Sequence, residues 1–225
     1  MHNYLNKVTL YKRIEEHRNR WGVTLSNYPI NTIELCKSFK HLTVKEVPFF
    51  TTGLRGLATK RNTFDGMDII ILNENRNAQE KNFDCGHELI HLVEHRNAKT
   101  QSFHCFEKAM PNQNKFMEWQ ANEGSAELIL PYKIFIKQFC DDIIDAKRLG
   151  INVRRNACFV AESYAQRYNV TESFIKNRVK SLAYEMCQYY SGTDLDDLKI
   201  LSRSQLSTQN IDLKKNPLYS FIKMI

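Results

Sequence analysis

The chain has 225 residues, enough to bury a substantial core as one domain of ordinary size or two small ones, and no apolar run approaches the roughly 20 residues that a bilayer-spanning helix needs. Its six cysteines (Cys36, Cys85, Cys105, Cys140, Cys158 and Cys187) include no pair at C-x-x-C spacing, which argues against a cysteine-rich zinc module. Met1-His2-Asn3-Tyr4 is not a charged segment leading into an apolar stretch, so an unexported, cytoplasmic protein with reduced thiols is expected. A net charge of +7 leaves room for an acidic partner, but Lys12-Arg13, Lys60-Arg61, Lys147-Arg148, Arg154-Arg155 and Lys214-Lys215 spread the excess along the chain, as on a faintly basic soluble surface.

Residues 4 to 20 carry Leu5, Val8, Leu10, Tyr11 and Ile14 among charges, the pattern of an amphipathic helix, ahead of the turn-forming Asn27-Tyr28-Pro29. Asn31 reads as the N-cap of a second helix whose apolar face holds Ile33, Leu35 and Cys36. From residue 42 the period shortens: Leu42 to Val47, Gly53 to Ala58 and Asp68 to Leu72, separated by Pro48, Gly53, Gly56 and Gly66, predict short strands with turns. A polar loop from Asn73 to Asn82 then feeds a helix.

That helix contains His87-Glu88-Leu89-Ile90-His91. Residues four apart share a helix face, so both imidazoles can converge on one ion while Glu88 lies beside the open position. Phe83, Leu89, Ile90, Leu92 and Val93 make the segment mostly apolar, a costly setting for two histidines and a glutamate unless a metal compensates them. Two imidazoles and one carboxylate leave a fourth position for water, whose proton Glu88 can take.

By residue type the third ligand is one of Glu94, His95, His104, Cys105, Glu107, Glu118 and Glu123. His95 continues the four-residue series, but on a straight helix its Cα lies about 12 Å from that of His87, too far for one ion to bind both. A metzincin pattern would need Gly and His where Glu94 and Asn97 stand. Residues 96 to 115 read as an extended loop that can wall a cleft, with His104 there and Tyr132 farther on as candidate hydrogen-bond donors to a transition state. The run Glu118 to Pro131 reads as a second helix, with Asn122 one turn after Glu118: a carboxylate able to bind metal and a residue able to orient a ligand imidazole.

Taken together, Met67 to Asn73, the His87 to His91 pentad and the Glu118-Trp119-Gln120-Ala121-Asn122 to Pro131 run resemble the ImmA/IrrE-type metallopeptidases of bacteria and their mobile elements, over about residues 40 to 190. The resemblance implies that His87, His91 and Glu118 bind zinc, that Glu88 is the catalytic base and that Asn122 supports a ligand. It also implies a cytoplasmic protein substrate, such as a helix-turn-helix repressor of a phage or integrative element. Gly124 and Ser125 stand where the family usually has Phe and Ala, and Leu89-Ile90 where Leu-Gly is common; Gly124 should loosen its helix by roughly 0.5–1 kcal/mol relative to Ala.

Beyond Pro131 the chain reads as predominantly helical, and Ala161 to Val179 resembles a helix-turn-helix: Asn169-Val170 as the turn, Thr171 as N-cap, then a helix with Lys176, Arg178 and Lys180. Phe174, Ile175, Val179 and Leu182 are core, whereas Lys176 and Arg178 are expected in solvent. DNA reading is one use of such a pair; the resemblance favours a scaffold. Ser191 to Ile225 carries no interpretable motif.

The expected fold is therefore α+β: a mostly helical, zincin-like metallopeptidase with a small β-sheet over residues 1–135, and a C-terminal helical, helix-turn-helix-like subdomain over residues 136–225. The expected function is zinc-dependent cleavage of a specific protein. The alternative is a DNA- or protein-binding regulator, or a toxin–antitoxin component, with a structural or vestigial metal site.

Overall fold

The alternating stretches between residues 42 and 73 do form strands. β1 (Leu42–Val47), β2 (Leu54–Thr59) and β3 (Asp68–Asn73) join β4 (Ser102–Phe106) in a four-stranded sheet of order β1-β3-β2-β4. β1 runs parallel to β3 with Val44 opposite Ile70; β2 runs antiparallel to both its neighbours and sets Ala58 opposite Ile70 and Phe103. Side chains alternate across a strand, so Ala58, Ile70, Leu72, Phe103 and Cys105 share the covered face. The structure is a computed structural model that describes residues 5–61, 66–108, 110–153 and 157–225; Met1–Tyr4, the Arg154-Arg155 pair and the Cys158 side chain lie outside what is described.

β4 corrects the expectation of an unbroken loop from 96 to 115. Phe103 and Cys105 are buried and His104 is exposed, a period of two over only five residues that the surrounding polar run conceals. The loop before the pentad is also shorter than expected. Asn77 accepts from the Glu80 N–H while Glu80 accepts from the Asn77 N–H, a capping box that starts α3 (Ala78–Glu94) well before Asn82.

Packing divides the chain into two units. The first is built on Arg13–Ile129 and contains the sheet, α2 (Thr32–Lys37, capped by Asn31 as expected), α3 and α4 (Lys115–Ile129). Here α3 packs against β2, β3, β4, α2 and α4, which makes it the central element. A Cβ on Gly124 of α4 would lie 3.1 Å from Ile90 Cγ2 and 3.3 Å from Ile14 Cδ1. Two departures from the family pattern thus complement each other, with bulk at position 90 of α3 and none at position 124 of α4.

The second unit joins Asn6–Lys12, the first part of α1 (Lys7–Arg20), to Leu130–Ile225; the boundary expected at residue 135 falls inside α5 (Tyr132–Arg148). It is helical: α6 (Ala157–Tyr168), α7 (Glu172–Ser181), α8 (Ala183–Tyr190), α9 (Arg203–Thr208) and α10 (Pro217–Ile222) follow α5. Its core sets Phe135 edge-on to Tyr164 at 5.6 Å and Phe139 beside Phe221 at 6.3 Å. Asn169 takes the left-handed turn conformation (φ 52°) and Thr171 caps α7 by accepting from the Phe174 N–H, both as expected. Arg178 is a correction: it is buried, donates to the Leu130 carbonyl at 2.9 and 3.1 Å and to the Tyr11 hydroxyl at 2.7 Å, and so is withdrawn from solvent. No helix among the described residues is long and apolar enough to cross a membrane.

Candidate metal centre

Helical spacing aims the rings of His87 and His91 at one point, with their Nε2 atoms 3.1 Å apart. From α4, Glu118 presents Oε2 3.5 Å from His87 Nε2 and Oε1 3.5 Å from His91 Nε2. Ligands at about 2.0–2.1 Å around a tetrahedral zinc lie roughly 3.3 Å from one another, and the observed separations bracket that value. The His87 and His91 side chains are 1% and 0% exposed, but Glu118 retains 15%, so solvent reaches the group from the Glu118 side.

The imidazoles are held from behind. His95 Nε2 lies 2.8 Å from Gln120 Oε1, and because an amide oxygen only accepts, that nitrogen carries hydrogen. His95 Nδ1 then accepts from His91 Nδ1 across 2.9 Å, which leaves a lone pair on His91 Nε2, facing the site. His87 Nδ1 similarly donates to Asn122 Oδ1 at 3.1 Å. Both rings thus turn Nδ1 toward a supporting residue and Nε2 toward the site, the orientation a cation requires.

Charge is distributed to match. Burial pushes the Glu118 carboxyl up, but bonds from His87 and His91 outweigh it and hold it down at about 2. Burial drives His91 down to about 3. His87 is raised despite its burial, by Cys105 and Glu118 beside it. Burial lifts Glu88 to about 8. Both Glu88 oxygens are buried without a hydrogen-bond partner, an arrangement that costs free energy unless the carboxylate acts on something brought to it. Gly56 on β2 makes room for it: a Cβ there would lie 3.3 Å from Glu88 Oε1.

The structure therefore brings together His87, Glu88, His91, Glu118 and Asn122. It does not bring His104, which is exposed on the strand face opposite Cys105; Tyr132 belongs to the second unit, where it stacks on Tyr11 at 5.6 Å. Sequence reasoning passed over the support that His95 and Gln120 give to His91; the four-residue step from His91 to His95 was the available signal. It also passed over the position of Cys105. His87, Glu88 and Cys105 form a second group of buried donors whose ligand atoms all lie within 4.8 Å of one another.

The profile of the IrrE N-terminal-like domain, peptidase family M78, matches residues 43–180, from β1 almost to the end of α7. No curated protein matches the chain.

Proposed function

Since the chain belongs to the IrrE N-terminal-like peptidases of family M78, a metallopeptidase group, we propose that it is a zinc-dependent endopeptidase acting on a specific cytoplasmic protein. In this reading His87, His91 and Glu118 hold the ion. A zinc ion held by these three residues would supply Lewis acidity toward a water molecule and a scissile carbonyl. Glu88 takes the proton from the attacking water and delivers it to the leaving amine. A cation beside Glu88 would favour the carboxylate, against the burial that raises it, and so oppose its protonation in the resting site. Asn122 and the His95–Gln120 pair keep the imidazoles oriented. β4 is an edge strand carrying Cys105 close to Glu88, so an extended segment of substrate can add to the sheet beside the base.

The observation that carries this reading is the convergence of two imidazole nitrogens and both Glu118 oxygens at 3.1 to 3.5 Å, next to a buried carboxylate with no hydrogen-bond partner for its oxygens. The substrate class follows from the resemblance: a helix-turn-helix repressor of a phage or mobile element, cut to relieve repression. The regulator alternative loses one of its three intended DNA contacts, since Arg178 is buried. The test is Glu88→Gln in cells co-expressing candidate repressors encoded nearby. The variant should bind one equivalent of zinc and leave the partner intact; undiminished cleavage rejects the role given to Glu88.

A further inference from the structure

β4 is an edge strand, so one side of its backbone pairs with β2 and the other is open. In an antiparallel pair both polar groups of a residue face the same side, and successive residues alternate. Just beyond the Thr59–Ser102 pair the Lys60 N–H donates to the Gln101 carbonyl, and past Phe106 the Glu107 N–H donates to the Gly53 carbonyl, each at 2.9 Å. Phe103 and Cys105 therefore turn their polar groups to β2, and Ser102 and His104 turn theirs to the open side. Both of those outward carbonyls are taken: Ser102 accepts from Thr100 Oγ1 at 2.7 Å and His104 from Gln113 Nε2 at 2.6 Å. His104 stands between Phe103, whose ring stacks on His91 at 4.5 Å, and Cys105, which is grouped with His87 and Glu88. Its backbone is thus level with the candidate metal ligands of α3.

Gln113 is held in place at both ends of its amide. Its Oε1 accepts from the Met110 N–H at 2.7 Å, and since that group only donates and a carbonyl only accepts, the Nε2 end must face His104. The next residue, Asn114, accepts from the Phe116 and Met117 N–H groups at the start of α4, which anchors the backbone on that side.

We infer that His104 is the residue of β4 on which a substrate strand pairs, and that Gln113 occupies its carbonyl in the resting protein as a stand-in for a substrate N–H. This rests on the zinc-peptidase reading above and names the contact that a substrate must displace. Strand addition draws on the N–H and C=O of every second edge residue, and His104 is the one level with the histidines. Rotation of the Gln113 side chain releases the carbonyl without disturbing the sheet. One neutral hydrogen bond is exchanged for another, so Gln113 weakens peptide binding, by roughly 2- to 10-fold, and does not abolish it. That penalty falls on every peptide backbone alike and favours substrates that make further contacts elsewhere.

The test compares two ligands on the zinc-loaded full chain by calorimetric titration: a tripeptide hydroxamate, in which a peptide backbone runs on from the zinc-binding group, and acetohydroxamate, which has that group alone. Gln113→Ala should tighten the tripeptide ligand by roughly 2- to 10-fold and leave acetohydroxamate unchanged. Gln113→Glu should do the same, because it keeps the acceptor for Met110 and removes only the donor to His104. Zinc content and melting temperature, equal to wild type in both variants, exclude a folding defect. An unchanged ratio of the two affinities overturns the inference and leaves the zinc site standing, as does a gain in Gln113→Ala that Gln113→Glu fails to share, which would trace it to a loosened turn. A wild type that takes up no zinc, or whose zinc binds neither hydroxamate, overturns the peptidase reading as well.

Discussion

The Nδ1 atoms of His91 and His95 lie 2.9 Å apart, and His95 passes the contact on to Gln120. His95 is thus excluded as a direct ligand by its distance along α3 yet fixes the proton on a residue that points into the site. Removing such a partner typically costs 10–100-fold in metal affinity. His95→Ala is expected to weaken zinc binding by about that factor in a chelator competition, with the helical circular dichroism preserved. Asn122→Ala should do the same through His87, and affinities equal to wild type in both would remove these residues from the site.

Gly124 and Ile90 set the approach of α4 to α3. Alanine gains about 0.5–1 kcal/mol over glycine in a helix interior, but overpacking a filled core costs about 1–3 kcal/mol. With the nearest Ile90 atom 3.1 Å from the new methyl, the overpacking cost prevails. Gly124→Ala should lower the melting temperature, and Ile90→Ala in the same chain should relieve part of that loss. A thermal midpoint that rises in Gly124→Ala alone would show the crossing to be looser than these distances.

Much of this was legible in the sequence, and the exceptions share a cause. The pentad, its apolar setting and the caps at Asn31 and Thr171 follow from local spacing, and the structure reproduces them. β4 escaped because five alternating residues are a weak signal inside a polar run. Arg178 was misjudged on its charge, although its spacing from Ile175, Val179 and Leu182 places it on the buried face of α7. Gln120 and Cys105 reach the site from α4 and β4, and only the fold supplies such a juxtaposition.

Glu88 and Glu118 give the metal-free protein opposite pH dependences. Glu118 is depressed in the fold to about 2, so its stabilisation is present above the ordinary value of 4.5 and is lost as the pH falls toward about 2. Glu88 is raised to about 8, so the fold prefers its protonated form; that preference holds below 4.5 and is lost as the pH climbs through about 8. Glu88→Gln, neutral throughout, should therefore gain on wild type as pH rises, by on the order of 4 kcal/mol above about pH 8. Urea unfolding of chelator-treated protein at about pH 5 and about pH 9 measures it. A difference between the two proteins that does not change with pH would mean Glu88 is solvated.

Arg178 separates a scaffold from a DNA reader in the second unit. Its guanidinium is 1% exposed and satisfies the Leu130 carbonyl, whereas Lys180 is exposed and Lys176 pairs with Glu172 at 3.3 Å on the helix surface. Truncating Arg178 strands a buried carbonyl and deletes charge-assisted hydrogen bonds worth about 1.5–3 kcal/mol each, whereas surface changes usually stay within about 0.5 kcal/mol. Arg178→Ala should lower the unfolding midpoint clearly, and Lys176→Glu with Lys180→Glu should barely move it. If α7 read DNA, the two lysine reversals would instead abolish a binding whose affinity falls steeply with salt. The scaffold role predicts no salt-sensitive DNA binding for them to abolish, and a titration with duplex DNA at low and moderate salt decides between the two.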